Sequence, residues 1–314
     1  MSNRKVNMET EVSIEEIEFD SHGTTLRAGY IDARNSPFQS SRGTPCIVMA
    51  HGLGGTRAAG LTPFMQRFGA AGFKVLCFDY RYFGKSDGKP RQWISVRRQL
   101  EDWAAAIKFA RSLPGVDPTR IATWGSSFSG AHSVAAAVKD GSIAAVSAQG
   151  AMMDGFASLL NLIQQSGLAH VLKLSAYGIA DALSGVLGRS RVTMPVVGLP
   201  GETAALVTPD SKPGYLRITP PEWINAISCS WALTIAGYRP NTMTPLLPCP
   251  ALFCIATDDK VVPPSAMEDG ARRAPQKVTV KRYACGHFEV YVPPMFEQAV
   301  ADQLEFFQRV LRPA

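Results

Sequence analysis

The hexapeptide Gly125-Ser126-Ser127-Phe128-Ser129-Gly130 directly follows the apolar run Ile121-Ala122-Thr123-Trp124 and directly precedes the helix-compatible stretch Ala131 to Lys139. A strand, a sharp turn and a helix in that order present the residue at the apex of the turn as an exposed nucleophile. Such a turn needs small residues two positions to either side, because larger side chains collide with neighbouring backbone where φ and ψ are strained. Gly125 meets this need and makes Ser127 the apex, with Ser126 and Ser129 as rival nucleophiles. Beyond the apex the pattern departs from Gly-x-Ser-x-Gly: Ser129 holds the second small position and Gly130 comes one residue later. The bland alternative is a Gly- and Ser-rich turn that only caps a helix, since serine is a favoured N-cap. His132 reads as a packing residue of the helix that follows.

A serine hydroxyl is a weak nucleophile until an imidazole takes its proton, and the imidazole needs a carboxylate to fix its tautomer and stabilise its charge. Both are present, each after a predicted strand. Thr257-Asp258-Asp259-Lys260-Val261-Val262-Pro263 follows the apolar run Ala251 to Ala256, and Ala284-Cys285-Gly286-His287-Phe288 follows Lys277 to Tyr283. The spacing predicts Asp259 as the orienting acid, because it directly precedes the Lys260 to Pro263 turn, with Asp258 as its competitor. His287 is the predicted general base: His22 falls in a predicted hairpin, His170 in a helical region, and His51 in a different motif.

The negative charge that develops on an attacked carbonyl must be met by backbone N–H groups. His51-Gly52-Leu53-Gly54-Gly55, immediately after the apolar run Cys46 to Ala50, is suited to presenting one, since glycines allow close backbone approach. We assign the two oxyanion donors to Leu53 and to Phe128, the residue after the nucleophile. As a phosphate loop the glycine segment fails, lacking G-x-x-x-x-G-K-[ST] and G-x-G-x-x-G spacing. The turn-rich segment Asp79 to Gly88 is expected to hold loops around the site.

These residues require a scaffold of alternating strands and helices. Val12 to Phe19 and Thr24 to Ile31 alternate around Ser21-His22-Gly23 as an antiparallel hairpin. Cys46 to Ala50 and Val75 to Phe78 are continuous apolar runs, as buried parallel strands require, with a helix predicted over 58–71 between them. A helix over 94–112, strands at Ile121 to Trp124, Ile143 to Ala148, Ala251 to Ala256 and Lys277 to Tyr283, and a helix from Met295 to Leu311 continue the alternation. Residues 151–246 break it with apolar helical stretches at Phe156 to Ile163 and Val171 to Leu187. The expected organisation is a core over 1–150, an inserted helical cap over 151–246 and the rest of the core over 247–314; an ordinary helical extension is the alternative.

Of the 314 residues 46% are hydrophobic and 18% charged, the balance of an ordinary globular chain. The net charge of +6 comes from scattered Lys and Arg without a like-charge run, which argues against a nucleic-acid partner. Met1 to Glu16 lacks the apolar core of a signal peptide, and no stretch reaches the roughly 18 apolar residues of a membrane span, so the expected location is cytoplasmic. The six cysteines lack CxxC spacing and several sit in apolar runs, so they are expected to be buried free thiols.

Taken together, HGLGG at 51–55, FDYRYFGKSDG at 78–88, GSSFSG at 125–130, DDKVVP at 258–263 and GHFEVY at 286–291 resemble the α/β-hydrolase superfamily over almost the whole chain. The segments Asp79 to Gln92 and Trp124 to His132, with the cap, are similar to a branch of polyketide-transferase and thiohydrolase-like enzymes. The resemblance implies a mostly parallel eight-stranded sheet flanked by helices with an inserted cap, and acyl chemistry on esters or thioesters through an acyl-enzyme on Ser127. It implies no metal or organic cofactor and a small-molecule acyl substrate, and it leaves a homodimer open. Relatives that use an aspartate at the elbow, the dehalogenases and epoxide hydrolases, differ from this chain at Ser127. Hydrolysis, acyl transfer with the same triad, and ligand binding without turnover are the three readings carried forward, in that order.

Overall fold

The computed structural model describes residues 12–313. The chain opens with β1 (Glu15–Ser21) and β2 (Thr24–Ile31), antiparallel partners across the His22-Gly23 turn. Val12 to Ile14 precede the first strand, and the acidic and basic residues before Val12 lie outside the described residues. Then come β3 (Thr44–Ala50), α1 (Thr62–Ala70), β4 (Lys74–Phe78), α2 (Val96–Ser112), β5 (Val116–Ser126), α3 (Phe128–Asp140) and β6 (Ala145–Gln149). Next are α4 (Gly155–Ser166), α5 (Leu168–Val186), the two-residue β7 (Thr193–Met194), α6 (Ser211–Ile218) and the two-residue β8 (Ile227–Ser228). The chain ends with β9 (Ala251–Ala256), α7 (Pro264–Arg273), β10 (Val278–Tyr283) and α8 (Met295–Val310).

Eight strands form one sheet in the order β1-β2-β4-β3-β5-β6-β9-β10. The β1/β2 and β2/β4 pairs are antiparallel and all others parallel. Strands covered on both faces have no solvent side to alternate toward, so β3, β4, β6 and β9 are buried at every position. One face carries α2 and α3, where Trp103, Ile107 and Val134 join Val48 and Leu76. The other carries α1 and α8, where Phe64, Phe68 and Phe307 pack on Trp124 and Val75.

Among the boundaries that differ from the sequence pattern, two have clear local reasons. Helix α1 starts at Thr62, later than position 58, because Gly60 at φ +74° interrupts the chain and Pro63 sits in the first turn. Strand β5 starts at Val116, which pairs with Thr44; the register then shifts across residues 117–120 and resumes at Cys46/Ile121.

Between β6 and β9 no residue joins the main sheet; β7 and β8 pair only with each other. Helix α4 begins where the Asp154 side chain accepts from the N–H groups of Phe156 (2.9 Å) and Ala157 (3.1 Å). The same carboxylate binds Arg239 at 2.8 Å, which fastens the start of the stretch between β6 and β9 to its end.

Candidate active site

Parallel strands deliver their carboxyl ends to one edge of the sheet, where open α/β folds bind ligands. The registers Ala50↔Gly125 and Ser126↔Gln149 bring the ends of β3, β5 and β6 level. Ser127 follows β5 at φ +57°, ψ −123°, a backbone state that side chains other than glycine rarely hold. Its N–H donates to the Gln149 carbonyl at 2.8 Å, which ties the strained turn to the next strand. A Cβ on Gly125 would run into the Ser129 carbonyl, so glycine is required there. Ser129 is tolerated at the second small position because its hydroxyl lies 2.9 Å from the Tyr80 phenol, and Gly130 is the residue that must be small, a Cβ there meeting Ala151 at 2.7 Å.

The loop after β10 brings His287 Nε2 to 3.1 Å from Ser127 Oγ. On the other side of the ring, Nδ1–H donates to Asp259 Oδ2 at 2.5 Å, an acceptor that fixes the tautomer. Asp259 sits after β9, and its second oxygen accepts from the N–H groups of Val261 (2.8 Å) and Val262 (2.9 Å). That turn selects between the adjacent carboxylates: Asp259 is buried and Asp258 is exposed. Burial pulls the His287 imidazole toward neutrality, but the charge and hydrogen bond of Asp259 outweigh it, so its pKa lies above the ordinary 6.5.

The rivals are occupied elsewhere. Ser126 Oγ lies 2.6 Å from the Tyr291 phenol. His132 is buried in α3, 2.7 Å from the Tyr238 hydroxyl and 3.1 Å from Gln99 Oε1. Burial, with the nearby His51 and Lys139 charges, pushes its pKa down to about 3. His22 lies in the β1–β2 turn and His170 in α5, both away from this cluster.

The His51 to Gly55 loop lies against Ser127: a Cβ on Gly52 would be 3.1 Å from Ser127 Cβ. The Gly52 carbonyl is held by His51 Nδ1–H at 3.0 Å and by the Gly55 N–H at 3.2 Å, which orients the peptide carrying the Leu53 N–H. Phe128 is the first residue of α3, where an N–H has no partner within the helix. Among the described residues neither the Leu53 nor the Phe128 N–H donates a hydrogen bond. The Asp79 to Gly88 segment braces this loop, Asp79 accepting from the Arg57 N–H at 2.8 Å and the Lys85 N–H at 3.1 Å.

Two contacts to the loop come from residues that the spacing does not single out. The Tyr215 hydroxyl donates to the Leu53 carbonyl at 2.7 Å, and Trp223 Nε1–H donates to the Gly54 carbonyl at 2.9 Å. Both lie between β6 and β9, more than a hundred residues along the chain, and no local pattern links them to the loop. From α4, Asn161 (3.1 Å) and Gln165 (2.5 Å) donate to the Lys260 carbonyl beside Asp259.

A cavity of about 320 Å³ opens at Ser127. Leu53 and Phe128 line it from the segments after β3 and β5, and Met152, Leu159, Leu162, Leu174 and Trp231 from the stretch between β6 and β9. Its wall is mostly apolar. All six cysteines are buried free thiols; burial pushes Cys46 up to about 12 and Cys254 to about 11, so neither offers a rival nucleophile. Among the described residues no group of three or more His, Cys, Asp or Glu side chains is placed to hold a metal ion. No described helix is long and apolar enough to cross a membrane.

Sheet order, helices on both faces and a serine at a strained strand-to-helix turn define an α/β hydrolase. The chain belongs to the alpha/beta hydrolase family, whose model matches residues 47–303. It is 42% identical over 270 residues to the quorum-quenching protein AidA of Acinetobacter baumannii (strain MDR-ZJ06), covering 85% of this chain and 87% of that one. It is 27% identical to the polyketide transferase ATR5 of Stachybotrys chlorohalonatus (strain IBT 40285) over 95% of this chain and 98% of the relative. In fold it is similar to the alpha/beta hydrolase GrgF from Penicillium sp. sh18, with a TM-score of 0.77 at 23% identity over 96% and 99% of the two chains.

Proposed function

We propose that the protein is a serine hydrolase that cleaves a carboxylic ester or thioester, with Ser127 as nucleophile, His287 as general base and Asp259 as the acid that orients it. The observation that carries this reading is the unbroken hydrogen-bonded chain from Ser127 Oγ through both His287 nitrogens to Asp259, at the mouth of an apolar cavity. His287 Nε2 takes the hydroxyl proton as Oγ bonds to the substrate carbonyl carbon. The carbonyl electron pair moves onto oxygen, where the N–H groups of Leu53 and Phe128 meet it. Collapse breaks the bond to the alcohol or thiol, which leaves with the proton from His287. Water then attacks the acyl-enzyme by the same steps in reverse, freeing the acid and Ser127.

The acyl part fits the apolar cavity, and residues 151–246 act as its lid. Ser127→Ala is expected to lower kcat on p-nitrophenyl esters by on the order of 10⁶-fold and to abolish labelling by a fluorophosphonate. Labelling that persists moves the nucleophile elsewhere. A panel of acyl esters and thioesters of increasing chain length defines the substrate. Binding without turnover across the whole panel would favour a non-catalytic ligand carrier.

Acyl transfer is the second reading, favoured by the polyketide transferase that aligns with nearly the full chain. It uses the same triad, with an alcohol or amine in place of water. Product analysis with added acceptors separates the two: free acid alone supports hydrolysis, and acylated acceptor supports transfer.

A further inference from the structure

The outward face of α5 carries a continuous apolar stripe. Leu168, Leu172, Ile179, Leu183 and Val186 recur at the spacing of one helix face, with Ala176 among them and Leu187 just past the end. The large side chains are exposed, from 53% at Ile179 to 86% at Val186. Leu174, Gly178 and Asp181 face inward on the opposite side, Asp181 paired with Arg191 at 2.7 Å, so the helix already has its packing face and the outward apolar stripe is additional to it. Six large apolar side chains, each more than half exposed and contiguous on one helix face, form the kind of patch that marks an interaction site on a monomer.

We propose that this face of α5 is the interface of a homodimer, in which two copies of the helix pack antiparallel about a two-fold axis near residues 177 and 178. A two-fold interface must be complementary to itself, and the stripe is. Leu168 falls opposite the partner's Leu187, Leu172 opposite the partner's Leu183, and Ala176 opposite the partner's Ile179. Large side chains meet at both ends, and alanine near the axis lets the helices approach. The charge pattern agrees. Helix α4 has no charged residue, Asp181 of α5 is buried, and Lys173 is the one exposed Lys, Arg, Asp or Glu of the two helices. In this pairing the two Lys173 side chains start about 14 Å apart along the helices, beyond the roughly 8 Å screening length of physiological salt. A helix that lies on a membrane surface carries Lys and Arg on its polar face, whereas the other face of α5 is packed on the protein, so a second copy is the better-matched occupant.

Sedimentation equilibrium of the full chain over a range of concentrations tests this together with two sets of variants. The wild type is expected at dimer mass. Leu172→Glu/Leu183→Glu alters two side chains that are 61% and 58% exposed, so the fold should survive, which thermal melting checks. Its association should weaken on the order of 100-fold or more, from carboxylates placed against an apolar partner. Ala176→Cys, near the axis, should crosslink to its copy under mild oxidation, whereas Leu168→Cys, about 28 Å from its own copy along the helices, should not; the native thiols are buried. A wild type at monomer mass throughout, an unchanged dimer in the double variant, or equal crosslinking at both positions would overturn the proposal. So would cosedimentation of the wild type with phosphatidylcholine/phosphatidylglycerol vesicles that the double variant loses, because that assigns the stripe to lipid.

Discussion

The Ser126 hydroxyl and the Tyr291 phenol lie 2.6 Å apart, which ties the residue before Ser127 to the short 3-10 turn Glu289–Tyr291 just beyond His287. The bond spans two loops that the sheet alone does not connect, and it bears on the Ser127–His287 distance. Tyr291 is also packed against Phe64, so its ring stays in place without the hydroxyl. Tyr291→Phe should therefore cost about 1 kcal/mol of stability, the usual worth of one buried hydrogen bond. It should lower kcat by roughly tenfold, equal to about 1.4 kcal/mol of transition-state stabilisation, with KM little changed. Urea unfolding and steady-state kinetics on one ester check both effects.

Tyr215 acts on the other half of the site, through the Leu53 carbonyl. Tyr215→Phe keeps the ring stacked on Trp223 at 4.8 Å and frees the loop peptide to turn. A loosened oxyanion donor should reduce kcat by on the order of ten- to a hundredfold, less than deletion of a donor. A boronic acid, which mimics the tetrahedral state, should bind correspondingly more weakly while a substrate-like amide binds as before. Equal weakening of both ligands would make the residue a general packing element.

The two adjacent carboxylates should separate cleanly. Asp259→Asn should lower kcat by roughly 10⁴-fold, as loss of the carboxylate that orients an imidazole does, with fluorophosphonate labelling slowed in parallel. Asp258→Asn changes an exposed side chain and should stay within a factor of two or so of wild type. Kinetics on the two variants side by side decide the assignment.

Histidine ionisation gives opposite signs in activity and in stability. His287 must be neutral to accept a proton, and Asp259 holds its pKa above 6.5. kcat/KM should therefore rise with pH through a midpoint above 6.5. The stability from this raised pKa is complete below 6.5 and is lost as pH climbs through the midpoint. His132, held down to about 3, behaves in reverse: its contribution is complete above 6.5 and is lost as pH falls from 6.5 toward 3. Buried His51 is lowered too, burial outweighing Asp79 and the Gly52 carbonyl, and adds to the same slope. Between pH 6.5 and 5, above the range of ordinary carboxylates, unfolding free energy should fall by up to about 1.4 kcal/mol per pH unit for each such histidine. Urea titrations across that window measure the slope, and His132→Leu should make it shallower.

The strands were readable where burial on both sheet faces forces unbroken apolar runs, as at Cys46 to Ala50 and Ala251 to Ala256. That Ser127, Asp259 and His287 come together was readable because each lies at or just after a strand end, and strand ends share one edge of a parallel sheet. The start of β5 was hidden, since Asp117, Pro118, Thr119 and Arg120 carry no strand pattern and the pairing depends on Thr44. Tyr215, Trp223, Asn161 and Gln165 were hidden for a related reason. Each meets its partner across a distance that only the folded chain closes, and hydropathy has no period that reports it.

Those four side chains have a consequence for engineering. The same stretch of polypeptide that walls the cavity also holds the Leu53, Gly54 and Lys260 carbonyls in the loops beside Ser127 and Asp259. Chimeras that exchange 151–246 with a relative to retune chain-length preference will alter turnover as well, unless these four anchors travel with the graft. On the proposed mechanism selectivity and speed share hardware, and redesign has to move them together.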